Sequence, residues 1–429
     1  MSTAKTKILQ ISGLKSVPKE KKATLSAFFL RPATQKNQCQ RSIKIENMYS
    51  LSSWLSWIGC VPQFQFDTES YKNSIAVEKK DYDKLKSDYE AYERNRLSQG
   101  WLDDKKPKFD SQEEIIFVEK VVVPPEDKIL IIGDIHSSLS SLLSIFDNWR
   151  ERGWLSDDFQ LAKGFHLFFL GDVIDRGALS TELIVLIFLL TRANQNNVTY
   201  INGNHENCFT YKMFGMEDEI ANKFGITDTS EMLDYMSFLS FQPTMVIVKF
   251  GKQIFQLCHG AFTDNLSEQE KIAQLIQSND RFAFLRVYSK MCMPITGKID
   301  DFIKWGDFAG VIENRIGSVR GKYMKVFGWN TTQHYLKSLG ITAIISGHQD
   351  LSNFTMLLTP LCSKQGKEID VNYKTLYRPL EYGLKTFQEQ VSFTPGEDFI
   401  AVNTSTAIDA KENIGLLYNC FLLLFFGNE

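Results

Sequence analysis

Residues 128–136 read Lys-Ile-Leu-Ile-Ile-Gly-Asp-Ile-His, an apolar run that ends in an aspartate and a histidine. Four later stretches repeat this pattern and end in Asp, Asn or His: 165–172, 198–205, 253–259 and 341–348. Short apolar runs bounded by turn residues are typical of buried β-strands. Because the polar residues follow the strand in each case, we expect them to converge on one rim of a sheet.

The polar residues at these strand ends are oxygen and nitrogen donors. They are Asp134, His136, Asp172, Asn204, His259 and His348. Hard divalent cations favour such mixed carboxylate, carbonyl and imidazole ligands, whereas thiolate ligands would indicate zinc or iron–sulfur. The sequence therefore predicts a site for two adjacent divalent metals.

Five ordered motifs resemble the signature of the phosphoprotein phosphatase (PPP) family, the calcineurin-like metallophosphoesterases. They read GDIH at 133–136, GDVIDRG at 171–177, GNHE at 203–206, CHGA at 258–261 and GHQ at 347–349. The resemblance extends from about residue 125 to 420. It implies an α/β fold, the four-layer α/β/β/α metallophosphoesterase sandwich, here with an N-terminal helical elaboration.

The resemblance also divides the six donors between two divalent cations. Asp134 and His136 would hold one ion, Asn204, His259 and His348 the other, and Asp172 would bridge both. A hydroxide shared by the ions would then attack phosphorus in line. Mn²⁺ is the expected metal, with Fe, Zn or Mg as alternatives.

The remaining catalytic roles also follow from the resemblance. Arg176 in the DRG triplet would clamp the phosphate, since a guanidinium binds phosphate bidentately. Arg320, in a stretch at 319–328 that resembles the family's second arginine segment, would be the second clamp. His205 would be the general acid, and Asp175 would orient it and raise its pKa.

The chain departs from the family pattern at several positions. Ser137 follows the first histidine where the family has glycine, Asn202 replaces an arginine that eukaryotic members carry before GNHE, and Ala261 replaces a glycine. We expect a serine after His136 to cap the following helix. Residues 398–407 replace the SAPNYC stretch, so no counterpart exists for the tyrosine that overhangs the family's active site.

These departures leave the substrate open. We expect a protein phosphatase that acts on phosphotyrosine or on phosphoserine and phosphothreonine of a phosphoprotein. One alternative is a small-molecule, nucleotide-type phosphohydrolase of the same superfamily. The other is a catalytically weak scaffold that acts through an N-terminal arm. Retention of every ligand type and both arginines favours the enzyme.

The composition of the chain limits which partners and which cellular compartment we expect. A net charge of −3 indicates neither nucleic acid nor an anionic membrane as the main partner. Seven cysteines without C-x-x-C pairing indicate a reducing compartment. The apolar tail at 414–426 is too short to span a bilayer. We therefore expect a soluble, cytoplasmic protein without a membrane span.

The N-terminal part differs in character from the rest. We divide the chain into an extension at 1–112 and a catalytic domain at 113–429. A highly charged segment within about 72–100 carries Tyr82, Leu85, Tyr89 and Tyr92 at helical spacing. This predicts a helical arm or hairpin, which either lies on the catalytic domain or projects to bind a protein partner. The architecture resembles effector phosphatases that intracellular bacterial pathogens inject into host cells, which would make host phosphoproteins the substrates.

Overall fold

The computed structural model describes most of the chain from residue 76 onward and short stretches before it. The described residues are 22–30, 43, 47–58, 76–109, 113–289, 302–309, 313–318, 321–349, 354–358, 373–375, 390–396, 399–404 and 419–426. Structural statements below refer to these residues.

The described residues contain seventeen strands. They are β1 Ala23–Leu30, β2 Glu113–Val123, β3 Lys128–Ile132, β4 Phe165–Phe169, β5 Val198–Tyr200, β6 Met245–Phe250, β7 Gln253–Cys258, β8 Phe282–Ser289, β9 Asp307–Phe308, β10 Arg315–Ser318, β11 Gly321–Phe327, β12 Ala343–Ser346, β13 Phe354–Leu358, β14 Tyr373–Thr375, β15 Gln390–Phe393, β16 Phe399–Thr404 and β17 Asn419–Phe426. The five apolar runs singled out in the sequence all contain strands: β3, β4, β5, β7 and β12.

Helices fill the intervals between strands. They are α1 Leu51–Ile58, α2 Lys79–Arg96, α3 Leu139–Glu151, α4 Ser180–Ala193, α5 Cys208–Phe214, α6 Met216–Phe224, α7 Thr229–Tyr235, α8 Leu266–Gln277, α9 Phe302–Trp305 and α10 Trp329–Leu339, with short 3₁₀ turns at Leu102–Asp104 and Ser237–Phe241.

Two mixed sheets form the centre of the fold. The six-stranded sheet has the order β15-β1-β17-β3-β4-β5, and the eight-stranded sheet has the order β14-β13-β16-β12-β7-β6-β2-β8. Strands β3, β4 and β5 are parallel, as are β7, β12 and β16. Parallel strands place their carboxyl ends at the same edge, so the polar residues that follow them are gathered rather than scattered.

The two sheets pack face to face over a shared apolar core. Ile129, Ile131 and Phe168 of the first sheet lie in one cluster with Val246 and Leu257 of the second. Alternate residues of the same strands point the other way, because side chains of a strand alternate between faces. The core between the sheets is therefore the inner layer of a sandwich.

Helices cover both outer faces. Leu130 and Leu167 pack with α3 and α4 on one side, and Ile247 and Ile344 pack with α8 and α10 on the other. The architecture is therefore the four-layer α/β/β/α sandwich predicted from the sequence.

The charged N-terminal segment forms α2, which lies on the sandwich. Its stripe residues Tyr82, Leu85 and Tyr89 are buried, while Tyr92 is half-buried. The Tyr82 ring stacks on Tyr235 at a centroid distance of 4.2 Å. Upstream, β1 pairs with β15 and β17 inside the six-stranded sheet. The boundary at residue 112 stays a prediction, but residues on both sides of it share the same sheet and core.

Two further sequence predictions concern the apolar tail and membrane-spanning helices. Residues 414–418 of the apolar tail lie outside the described residues, and β17 forms the rest of it as a core strand. Within the described part of the chain, no helix combines the length and hydropathy that a bilayer crossing requires.

The packing of α2 makes a stability prediction. Replacing Tyr82 by alanine removes a buried ring from the α2 interface, which should lower the free energy of unfolding by about 3 kcal/mol. Lys84→Ala, on the exposed face of the same helix, should change it by less than about 0.5 kcal/mol. Urea unfolding of both variants measures the difference. Equal stability of the two variants would mean that α2 is not anchored to the sandwich.

Candidate metal centre

Strand ends from both sheets meet at one edge of the sandwich. Asp134 follows β3 of the first sheet and His348 follows β12 of the second. The backbone N–H of His348 donates to both carboxylate oxygens of Asp134, at 2.9 and 3.0 Å. This contact joins the two sheets at the predicted ligands.

Asn204, His259 and His348 form one compact group. The amide oxygen of Asn204 lies 2.8 Å from Nε2 of His259 and 2.9 Å from Nδ1 of His348. The same two ring nitrogens are 3.2 Å apart. Three donor atoms converging this closely in a buried place match the set predicted for one cation.

The Asp172 carboxylate stands between this group and a second one. Its Oδ2 lies 3.1 Å from Nε2 of His259, 3.6 Å from Nε2 of His136 and 3.9 Å from Nε2 of His205. Two groups of side chains that could hold a metal ion therefore share it, His136–Asp172–His205 and Asp172–His259–His348. The first group contains His205 and not the predicted ligand Asp134. Burial opposes ionisation of Asp172, but His259 and His205 hold its pKa well below the usual range.

The donor set fits divalent cations. The six predicted ligands are at most 6% exposed, and they offer carboxylate, amide and imidazole atoms. Buried carboxylates need a compensating positive charge, which divalent cations would add to that of Arg176, whose guanidinium contacts His205. Oxygen and nitrogen donors of this kind suit Mn, Mg, Fe or Zn. The individual ligand roles stay predictions.

The backbone at the ligands is held in an uncommon conformation. His136, Asp172 and His348 have positive φ angles of 44°, 50° and 78°, which non-glycine residues rarely adopt. Adjacent Gly347 lies so close to Asp134 that a Cβ there would sit 2.3 Å from Oδ1 of the carboxylate. Such strain persists where the surroundings over-determine the backbone, and it is frequent at functional sites.

Glu206 is a site residue for which no role was predicted from the sequence. Its carboxylate accepts hydrogen bonds from the backbone N–H of Asp172 at 2.8 Å, Val173 at 2.9 Å and Gly203 at 2.8 Å, and from the hydroxyl of Tyr200 at 2.6 Å. It therefore ties the second motif to the third and fixes the strained turn at Asp172. Its position as the last residue of the GNHE motif is the sequence feature that could have identified it as a site residue.

Ser137 occupies the position where the family has glycine. Its φ is 60°, so serine adopts the conformation that glycine would take more easily. Its hydroxyl donates to the carbonyl of Asp175 at 3.0 Å and contacts the Ser180 hydroxyl. The cap prediction is wrong. Ser138 stands at the N-cap position of α3, but its side chain makes no capping hydrogen bond, and Ser137 contacts the second motif instead.

His205 and Asp175 form the predicted hydrogen-bonded pair. Nδ1 of His205 lies 2.8 Å from Oδ2 of Asp175, which turns Nε2 toward Asp172. The expected rise in the pKa of His205 is wrong, because burial outweighs it. Burial, with His136 and Arg176 adding to it, lowers that pKa to about 3 despite Asp172. Burial also raises the pKa of Asp175 well above its usual range, so this carboxyl is a weak source of negative charge.

Arg176 lies at the edge of the same group. One guanidinium nitrogen is 3.3 Å from Nε2 of His205, and its backbone N–H donates to the carbonyl of Phe214 at 2.9 Å. The Phe214 ring, 40% exposed, packs on the His205 ring at 4.8 Å. The second predicted clamp, Arg320, lies outside the described residues.

Comparison with known proteins agrees with this geometry. The family model of calcineurin-like phosphoesterases matches residues 127–350. The chain is 26% identical over 235 residues to the serine/threonine-protein phosphatase 6 catalytic subunit of Caenorhabditis elegans, covering 54% of this chain and 61% of that protein. It is 28% identical over 241 residues to the serine/threonine-protein phosphatase 4 catalytic subunit of Eremothecium gossypii, covering 55% of this chain and 67% of that protein. The chain thus spans about three fifths to two thirds of these relatives.

Solved structures are similar at lower identity. A serine/threonine phosphatase from Saccharomyces cerevisiae with similarity to human phosphatase PP5 has a TM-score of 0.47 and 17% identity, covering 83% of this chain and 92% of that one. A cold-active protein-tyrosine phosphatase of a Shewanella species has a TM-score of 0.36 and 14% identity, covering 60% of this chain and 74% of that one. The family match spans more than half of the chain and all five motifs. The chain therefore belongs to the calcineurin-like phosphoesterase family.

Proposed function

We propose that the chain is a metal-dependent protein phosphatase that hydrolyses phosphomonoesters on phosphoproteins. The observation that carries the proposal is the position of Asp172, whose carboxylate is common to two groups of side chains that could hold a metal ion. A shared carboxylate is what a pair of adjacent cations requires. The relatives are named serine/threonine-protein phosphatases, which supports the same class of reaction.

The metal ligands are proposed as the sequence assigned them. Asp134 and His136 would hold one cation, Asn204, His259 and His348 the other, with Asp172 common to both. Two such cations, for which Mn²⁺ is our first choice, lower the pKa of water and stabilise the charge of a transferring phosphoryl group. The chain's own contribution is to gather these buried donors at one edge of the sandwich.

Arg176 would bind the phosphate. Its guanidinium lies beside the His205 ring, so both side chains can reach the same phosphate. A guanidinium donates two parallel hydrogen bonds to phosphate oxygens, which orients the ester bond toward His205. Arg320 is proposed as the second clamp on the basis of its sequence position.

His205 would protonate the leaving oxygen. The hydrogen bond to Asp175 fixes the ring, so that Nε2 faces the cluster. A phosphate dianion placed against Nε2 adds negative charge, which favours the imidazolium. The proton then passes from Nε2 to the departing alkoxide or phenoxide.

Substrate class and cellular setting complete the proposal. Phosphoserine, phosphothreonine and phosphotyrosine are all candidates, because the stretch that closes the family's cleft is replaced at 398–407. We propose a reducing, cytoplasmic setting, that of a host cell if the chain is a bacterial effector. Residues 113–429 would carry catalysis, and α2 is the place where a protein partner would bind the extension.

The first experiment measures phosphate release from matched phosphotyrosine, phosphoserine and phosphothreonine peptides with Mn²⁺ supplied. Release that a chelator abolishes is the expected result, and the preferred peptide defines the specificity. No release from any peptide would contradict the proposal. It would redirect the search to small phosphates such as nucleotides, or to a scaffold.

Asp172→Asn tests the shared carboxylate. Loss of one negative charge between the two clusters should lower kcat by about 100-fold or more, because several kcal/mol of charge stabilisation depend on both ions. Asp127→Asn, at a half-buried aspartate that contacts His166, is the matched control and should keep kcat within about twofold. A normal kcat in the Asp172 variant would rule out a two-metal reaction.

His205→Ala tests the proton donor. Removing it should lower kcat on peptide substrates by about 100-fold, the usual contribution of a general acid. The loss should be much smaller with a phosphate ester whose leaving group needs no proton, such as p-nitrophenyl phosphate. His334→Ala, at an exposed histidine, should leave both rates unchanged. An equal loss with both substrates would mean that His205 has another role.

A further inference from the structure

Lys304 is a buried cation next to the candidate metal centre. It precedes the segment Trp305-Gly306-Asp307 and is 1% exposed. Lysine is almost never buried in this way unless it is paired. Its Nζ forms an ion pair with Glu114 of β2 and lies 3.4 Å from the amide oxygen of Asn202.

Glu114 connects this cation to the loop that carries Asn204 and His205. One carboxylate oxygen binds Lys304, and the other accepts a hydrogen bond from the amide of Asn207. Asn202 and Asn207 stand at the two ends of the loop. The pair therefore fixes both ends of the loop whose centre holds a metal ligand and the proposed proton donor.

The segment around Lys304 also contacts the residues that follow two further strands, β7 and β12. The N–H of Gly260 donates to the carbonyl of Ile303 at 2.7 Å, directly after the candidate ligand His259. A Cβ at Gly260 would sit 2.7 Å from the carbonyl carbon of Lys304. Asp307, three residues on, lies 3.7 Å from Nε2 of His348. Displacement of α9 would thus reach His259 and His348 as well as Asn204.

Fold stability alone is a poor explanation for such a pair. Removing two charges from water costs several kcal/mol, and apolar replacements of buried ion pairs are often neutral or stabilising. The position of the pair gives a better explanation. Groups that orient metal ligands usually change metal affinity 10- to 100-fold when they are removed.

We propose that Lys304 and Glu114 are positioning residues that set the geometry of Asn204, His259 and His348 and thereby the affinity for a divalent cation. The inference deepens the proposed function, since it rests on the same metal site, but it is tested on metal binding alone.

The experiment measures Mn²⁺ affinity without substrate, by electron paramagnetic resonance of free Mn²⁺ during titration. Lys304→Met should weaken binding by about 10-fold or more. Glu114→Gln/Lys304→Met removes both charges and leaves no uncompensated carboxylate, so its Tm should return toward the wild-type value while Mn²⁺ binding stays weak. Lys120→Met removes another buried lysine, which donates to carbonyls of Leu275 and Ser278, and should keep wild-type affinity.

The double variant decides the question. Wild-type Mn²⁺ affinity in a folded Glu114→Gln/Lys304→Met protein would overturn the proposal, even if Lys304→Met alone did not fold. An equal loss of affinity in Lys120→Met would overturn it too, because any buried lysine would then have the same effect. Normal Mn²⁺ binding by the wild-type protein without phosphate release from any peptide would refute the proposed phosphatase and leave this inference standing.

Discussion

The buried Asp172 carboxylate is the constraint on which the site depends. It is 2% exposed, and ring nitrogens of His136, His205 and His259 surround its Oδ2. These residues come from strand ends of two different sheets. The sandwich must therefore bring the strand ends of both sheets together at one edge. The face-to-face packing of the two sheets provides a rigid frame that holds them there.

The frame alone does not fix the ligands, because three of them, His136, Asp172 and His348, have positive φ angles. The turns are held by hydrogen bonds that run between motifs. Glu206 accepts from three backbone N–H groups of the second and third motifs, and Asp134 accepts from His348 N–H. Each motif thus supports the backbone of another. This explains why a single motif in the sequence is weak evidence for a metal centre, whereas the ordered set of motifs is strong evidence.

Local patterns were sufficient to predict the five strands that precede the candidate ligands and the α2 stripe, because these patterns lie in contiguous residues. Three features depend on distant parts of the chain and could not be predicted. Strand β1 pairs with β15 and β17, Lys304 is buried against Glu114, and burial lowers the pKa of His205 to about 3. Strand-pairing partners and burial arise only in the folded chain, so they cannot be determined from a single sequence.

The departures from the family pattern are compensated near the place where they occur. Ser137 takes the glycine conformation and binds Asp175 with its hydroxyl. Ala261 is buried and keeps its backbone contact with Phe302 at 2.9 Å. Asn202 has Lys304 beside it. Each of these compensating contacts is made to a residue outside the cluster around Asp172, so the altered positions are supported without a change in the candidate ligands themselves.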